Sequence, residues 1–236
     1  FEFAGRGLFY NIRYNPNVFP VSTEKKHMID YDLDLLTCIG VETEKRQPEI
    51  FLSSEEKAYN LLKKAGVNPE DRVIGIHPGG HYESQRWPIN EFAAISDYLI
   101  THYGIKVILF AGREEKQLIS EFKGHAAKAP VILEDLSLRE FMSALSYCSL
   151  FLCNNSGPLH ILTVSTMGPT IPYHWWPRGK NHIVLREDVD CSPCKKGICE
   201  THECMKLITT NDFIAAVERQ IKDLNISPST NNSLTV

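Results

Sequence analysis

The chain has 236 residues, of which 43% are hydrophobic and 23% are charged, a composition that is ordinary for a globular protein of one or two domains. The net charge of −4 offers no basic field for binding nucleic acid or an anionic membrane. No apolar run in the sequence approaches the roughly 20 residues that a membrane-spanning helix needs. Because the sequence starts at Phe1 rather than at Met, we expect it to be a fragment of a longer protein.

Strands and helices are predicted to alternate from about residue 70 onwards. Before that point the only clear element is a predicted helix at 30–39. The predicted strands are RVIGIH, IKVILFA, PVILEDL and SLFLCNN. The predicted helices are INEFAAISDYLITHY with Asn90 as N-cap, EEKQLISEFKGHA, SLREFMSALSYC with a Ser-x-x-Glu capping box, and TTNDFIAAVERQIKDL. This alternation predicts an α/β fold, a Rossmann-like parallel sheet with helices on both faces.

Polar loops follow three of the predicted strands, with the sequences HPGGHYESQRWP, AGREE and NNSGPLH. Because parallel sheets bind ligands at the carboxyl ends of their strands, these loops should meet at one sheet edge. In the third loop, a helix starting at Pro158 would present its free amides to an anion. Asn155, Ser156 and Gly157 precede that helix, and His160 lies within it. The alternative is a well-capped helix that binds no ligand.

The first two loops carry groups that suit a nucleoside diphosphate. Gly79 and Gly80 can bring bare backbone close to a phosphate, and Arg86 is suited to grip a diphosphate. Glu114 or Glu115 can accept hydrogen bonds from ribose hydroxyls. Taken alone, these acids are typical of a solvated helix N-terminus. Taken alone, the glycines are typical of a turn that is anchored by the packing of the following tryptophan. Together the loops predict a nucleotide diphosphate site.

The motifs resemble glycosyltransferase family 9, the bacterial heptosyltransferases of GT-B fold. HPGG with RWP, AGREE with Glu115 at Gly-x-x-Glu spacing, NNSGPLHI and CSPCKKGICETHECM follow the order and spacing of that family. The resemblance covers about residues 50–225, while residues 1–45 resemble the end of the family's first domain. It implies a remnant of the N-terminal acceptor-binding domain and linker at 1–50, and a C-terminal nucleotide-sugar-binding domain at 51–225. The polar tail, 226–236, is predicted to be disordered.

The resemblance also implies an activity. Family members are inverting transferases that move heptose, or a related sugar, from an ADP-sugar to a lipopolysaccharide core acceptor. They work in the cytoplasm, with peripheral association at the inner membrane, and need no cofactor for catalysis. The implied donor-binding residues are Gly79, Gly80, Gln85, Arg86, Glu115, Asn155, Ser156, Gly157, Pro158 and His160. The catalytic base is expected in the N-terminal domain, so the chain as given should bind the donor without turning it over.

Two positions depart from the family pattern. Asn155 stands where the family commonly has Asp, and Gln85 stands where many members have Lys. Each departure removes a charge that would face the donor. They leave room for another sugar donor, for a different GT-B transferase or epimerase, or for a catalytically silent sugar-nucleotide-binding protein.

A cluster of cysteines follows the third loop. Cys191, Cys194, Cys199 and Cys204 form the pattern C-x2-C-x4-C-x4-C, which suits a structural zinc or iron site. The spacing also copies a nucleic-acid-binding zinc knuckle, but the segment has no aromatic residue to stack a base, so we expect no nucleic-acid partner. A disulfide-bonded loop and a metal-free loop that recurs in the family are the alternatives.

Overall fold

The computed structural model describes residues 25–46, 55–160, 163–180, 182–194 and 196–226. It divides the chain into two compact units, Phe1–Glu49 with Ile171–Trp176 and Ile50–Thr170 with Pro177–Val236. The sequence does not predict that residues 171–176 group with the first unit. Residues 1–24 and 47–50 of the predicted remnant and linker, and residues 227–236 of the predicted tail, lie outside the described residues.

Eight α-helices and six strands occur within the described ranges. The helices are α1 (Met28–Thr37), α2 (Glu55–Lys64), α3 (Ile89–Tyr103), α4 (Lys116–His125), α5 (Leu138–Leu145), α6 (Pro172–Trp175), α7 (Glu203–Lys206) and α8 (Thr210–Asp223). The strands are β1 (Val73–His77), β2 (Lys106–Ala111), β3 (Val131–Glu134), β4 (Leu150–Asn154), β5 (Thr163–Thr166) and β6 (Ile183–Leu185). None of these helices is long and apolar enough to cross a bilayer.

The first unit contains α1, which overlaps the helix predicted at 30–39. Its N-cap is His27, whose Nδ1 accepts the backbone N–H of Ile29 at 3.1 Å. Tyr31 is the buried residue of this helix, and its ring meets the ring of His174 edge-on at 6.2 Å between centroids. This contact lies within the first unit, because His174 belongs to α6.

The second unit is built on a sheet with the strand order β3-β2-β1-β4-β5-β6. Every neighbouring pair is parallel; Gly75 of β1, for example, is in register with Ile108 of β2 and with Phe151 of β4. This is the doubly wound order, which reverses direction between β1 and β4. The predicted α/β class with a Rossmann-like parallel sheet is therefore confirmed.

Apolar side chains cover both faces of the sheet, as expected for buried parallel strands. One face packs Ile74, Ile76 and Leu109 against residues of α3 and α8, including Phe92 and Phe213. The other face packs Val73, Ile108, Phe110 and Phe151 against residues of α2 and α5, including Leu62 and Leu145. Helices therefore lie on both faces, as predicted.

Two local predictions are confirmed. Trp87 is a packing anchor: it is 1% exposed, its ring stacks on Phe213 at 4.7 Å, and its Nε1–H donates to the carbonyl of Ile208 at 2.9 Å. Ser137 and Glu140 form the predicted capping box of α5.

Two other local predictions are wrong. The N-cap of α3 is Pro88, not Asn90, because the helix already begins at Ile89. The helix predicted to start at Pro158 is a single 3-10 turn, Gly157–His160. It cannot extend into an α-helix because β5 begins at Thr163, which leaves two residues between the turn and the strand.

Candidate functional site

A cavity of about 480 Å3 opens at the carboxyl ends of β1, β2, β3 and β4. Its apolar wall is formed by Phe110, Leu133, Leu136, Leu138 and Phe141. Its polar rim comes from the three predicted loops and contains His77, Gly80, His81, Gly112, Ser156, Gly157 and Pro158. The three loops therefore meet at one sheet edge, as predicted. The volume is within the range of small-molecule sites, and a few polar groups beside an apolar wall are typical of them.

The side chain of Asn154, at the end of β4, fixes the glycine loop. It is fully buried, and its Nδ2 donates to the carbonyls of Pro78 and Gly79 at 2.7 and 3.0 Å. Its Oδ1 accepts the backbone N–H of Trp87 at 2.8 Å and the hydroxyl of Thr166 at 2.9 Å. One amide thus ties together the ends of β4 and β5, the loop after β1 and the start of α3. The sequence reasoning missed this residue and selected its neighbour.

Arg86 is held against the same loop. Its Nε and Nη2 both donate to the carbonyl of Gly80, at 3.0 and 2.9 Å. Its charge lies close enough to Glu115 to help lower the pKa of that carboxyl. The guanidinium is therefore fixed beside the glycines, and within the described part of the chain its Nη1 makes no hydrogen bond.

Glu115 lies at the end of the turn that follows β2, and its carboxylate is held from two sides. Its Oε2 is 3.2 Å from Nε2 of His77 and accepts the backbone N–H of Gly112 at 2.8 Å. Burial alone would raise the pKa of this carboxyl. The hydrogen bond and charge of His77, the Gly112 amide and Arg86 outweigh burial, so the pKa is lowered and the group is an anion at neutral pH.

Gly79 is required by this arrangement. A Cβ atom at position 79 would lie 1.7 Å from Oε1 of Glu115 and 2.9 Å from Cε1 of His77. At position 80 a Cβ would meet Cγ of Arg86 at 3.4 Å, which is an ordinary contact. A side chain at position 79 would therefore collide with its neighbours, whereas one at position 80 would not. From the sequence, both glycines are predicted to have the same role.

The third loop contributes less than the sequence predicted. Ser156, Gly157 and Pro158 line the cavity, whereas Asn155 is half-buried and is not among the lining residues. His160 is the last residue of the 3-10 turn, and the structure does not describe its side chain. One 3-10 turn has fewer aligned peptides than the predicted α-helix and so a weaker field, and the anion site at this turn stays a prediction.

Gln85 contacts a residue outside the three loops. Its Nε2 is 3.5 Å from the hydroxyl of Thr170, and it does not line the cavity. The neighbouring Ser84 is buried, with its N–H donating to the carbonyl of Gly197 at 3.2 Å and its carbonyl 3.0 Å from Nε2 of His202. The cysteine-rich segment thus packs against the loop that carries Arg86.

The four clustered cysteines are free thiols. Burial, and then the nearby Cys194, Cys191 and Cys199, raise the pKa of Cys204 to about 11. In the described ranges no three His, Cys, Asp or Glu side chains are arranged to hold a metal ion, so the expected zinc or iron site is not supported. Cys199 Sγ accepts the backbone N–H of His202 at 3.4 Å, and Cys204 is buried, with its Sγ 2.9 Å from where a Cβ at position 168 would lie.

Comparison with known proteins gives one family. The model of "Glycosyltransferase family 9 (heptosyltransferase)" matches residues 2–205. A curated relative, lipooligosaccharide heptosyltransferase 2 of Campylobacter jejuni, is 25% identical over 169 residues, which cover 66% of this chain and 53% of that protein. The chain spans about half the length of the curated relatives it matches.

Solved structures show the same fold. The glycosyl transferase family 9 protein of Veillonella parvula superposes with a TM-score of 0.71 at 23% identity, over 86% of this chain and 62% of that one. The E. coli heptosyltransferase WaaC, solved with ADP, superposes with a TM-score of 0.59 at 18% identity, over 90% of this chain and 61% of that one. At these identities the likeness extends to the fold alone.

Proposed function

The chain belongs to glycosyltransferase family 9, and from this premise we propose that its sheet-edge cavity binds the nucleotide part of an ADP-sugar. The observation that carries the proposal is the convergence of three loops on a cavity with one apolar wall and one rim of glycine backbone. An adenine base suits the wall formed by Phe110, Leu133 and Phe141. A diphosphate suits the rim, where Gly80 and Gly157 leave the backbone open to close approach.

Arg86 and Glu115 are assigned complementary roles in this proposal. The guanidinium beside Gly80 faces the diphosphate, with Nη1 as the donor that is left for phosphate oxygens. The carboxylate of Glu115 accepts a ribose hydroxyl. Ser156, which lines the cavity, adds a hydroxyl. The remaining predicted residues, Gln85, Asn155 and His160, are assigned to the sugar end of the donor.

The proposed reaction is an inverting displacement at the anomeric carbon. The acceptor hydroxyl attacks, the bond from the sugar to the diphosphate breaks, and ADP leaves with the electron pair. Arg86 and the glycine amides stabilise the charge that develops on the diphosphate. These groups supply the electrostatic stabilisation, so the proposed chemistry needs no cofactor. A base that removes the proton of the acceptor is expected in the part of the family that this chain does not span.

The proposed donor sugar and acceptor are taken from the names of the relatives. Lipooligosaccharide heptosyltransferase 2 and the E. coli enzymes named for ADP-heptose and lipopolysaccharide suggest a heptose donor and a lipopolysaccharide core acceptor. We place this activity in the cytoplasm, next to the inner membrane. The second candidate is a sugar-nucleotide-binding protein without transfer activity, which is favoured by the neutral Asn155 and Gln85 at positions where the family carries charge.

Arg86→Ala tests the assignment of the diphosphate. It should weaken binding of ADP by about 1.5–3 kcal/mol, the range for a charge-assisted contact, and weaken AMP much less. Arg72→Ala, which removes an exposed arginine before the first residue of β1, is the matched control and should change neither affinity. Calorimetric titration gives both constants. Equal losses for ADP and AMP would assign Arg86 to the fold rather than to the site.

A further inference from the structure

His77 is the last residue of β1, and it is the one polar side chain of a strand that is otherwise buried and apolar. Its ring lines the cavity and lies 6.4 Å from the ring of Phe141. Its side chain and that of Glu115 are each 17% exposed, so their contact of 3.2 Å is largely shielded from water. The sequence motifs gave this histidine no role.

The hydrogen of the imidazole can be placed from its neighbours. Nε2 faces the carboxylate of Glu115, which can only accept, so Nε2 carries a hydrogen whether the ring is neutral or charged. Nδ1 is buried and has no hydrogen-bond partner within the described residues. Burying an unpaired nitrogen costs free energy, and an apolar side chain at this position would avoid the cost. The advantage of histidine over an apolar residue at position 77 is therefore the contact between Nε2 and Glu115.

The same contact determines which oxygen of Glu115 can serve a ligand. Both His77 and the amide of Gly112 bond to Oε2. Oε1 lies on the other side, so close to Gly79 that even a methyl group there would overlap it. The carboxylate therefore has a single orientation, with Oε2 used by the protein. Glu115 does not itself line the cavity, but His77 and Gly112, which hold it, do, so Oε1 is the oxygen left for a hydroxyl at that rim.

We propose that His77 is a positioning residue for the donor, holding Glu115 so that Oε1 accepts a ribose hydroxyl. The inference rests on the proposed function, because it needs a nucleotide in the cavity. His77 does not touch the reacting atoms. Its effect should pass through Glu115 and through the ribose hydroxyls alone, which separates this role from a general contribution to the shape of the cavity.

The test compares ADP with 2′,3′-dideoxy-ADP on the 236-residue chain by calorimetry. His77→Ala should weaken ADP about tenfold, equivalent to about 1.4 kcal/mol, and should leave dideoxy-ADP nearly unchanged. In His77→Gln the amide nitrogen can occupy the place of Nε2, so affinity for ADP should be retained, whereas the shorter His77→Asn should behave like His77→Ala. His125→Ala, at the exposed end of α4, is the control.

A double-mutant cycle completes the test. In a Glu115→Ala background, His77→Ala should cost no further ADP affinity, because the residue it positions is gone. Equal weakening of ADP and dideoxy-ADP by His77→Ala, or an additive loss in the double variant, would overturn the inference while leaving the proposed function standing. A wild-type chain that binds no ADP would instead overturn both.

Discussion

Asn154→Ala should destabilise the second unit strongly. The side chain is fully buried and makes four hydrogen bonds to partners that are themselves buried, including the backbone N–H of Trp87 and the carbonyls of Pro78 and Gly79. Alanine leaves these groups unpaired. At about 1–3 kcal/mol for each unsatisfied buried group, and with partial relaxation of the loop, we expect a loss of about 3–5 kcal/mol.

The neighbouring Asn155→Ala is the matched control. Asn155 is half-buried and lies outside the strand, so its removal should change the free energy of unfolding by at most about 0.5 kcal/mol. Urea denaturation followed by circular dichroism measures both variants, and the slope of the transition shows whether unfolding remains cooperative. Losses that agree within 1 kcal/mol would refute the view that Asn154 ties the strand ends together.

The remaining predictions concern the glycine loop and the thiols. Gly79→Ala should displace the carboxylate of Glu115 and weaken ADP binding, whereas Gly124→Ala, in α4 where a Cβ would meet nothing within 4 Å, should be tolerated; equal effects in calorimetry would contradict the close approach found at Gly79. Near pH 8, Cys199 should be alkylated before Cys204, because Cys199 is partly exposed and the His202 amide lowers the pKa of its thiol, whereas burial raises the pKa of Cys204 to about 11. Peptide mass spectrometry after brief alkylation gives the order, and faster reaction of Cys204 would contradict it.

The strands β1, β2 and β4 could be predicted because each is a mainly apolar run that a proline, a glycine or an asparagine follows: Pro78, Gly112 and Asn155 respectively. The capping box of α5 could be predicted because it is a local pattern of four residues. Strand β5 could not, since Thr163, Ser165 and Thr166 give it a polar composition although all three are buried. The hydroxyls of Thr163 and Thr166 donate to Leu159 and Asn154, partners that only the fold provides, whereas the hydroxyl of Ser165 has none within the described residues.

The same distinction applies to the site. Glu115 was identified from its spacing after Gly112, which is a local feature that the structure explains by their hydrogen bond. Asn154 and His77 were missed because their partners are distant in sequence: Asn154 bonds to residues 67 to 76 positions earlier. The helix at Pro158 was predicted wrongly because the apolar residues of this stretch do not share one helix: Leu159 lies in the 3-10 turn, whereas Val164 lies in β5.

The central claim is that the sheet-edge cavity recognises the nucleotide of an ADP-sugar. Its most direct test is calorimetric titration of the 236-residue chain with ADP, UDP and GDP under identical conditions. The account predicts one site per chain and the tightest binding for ADP, with Arg86→Ala weakening it. Equal affinities for the three nucleotides, or no binding of any of them, would contradict the account.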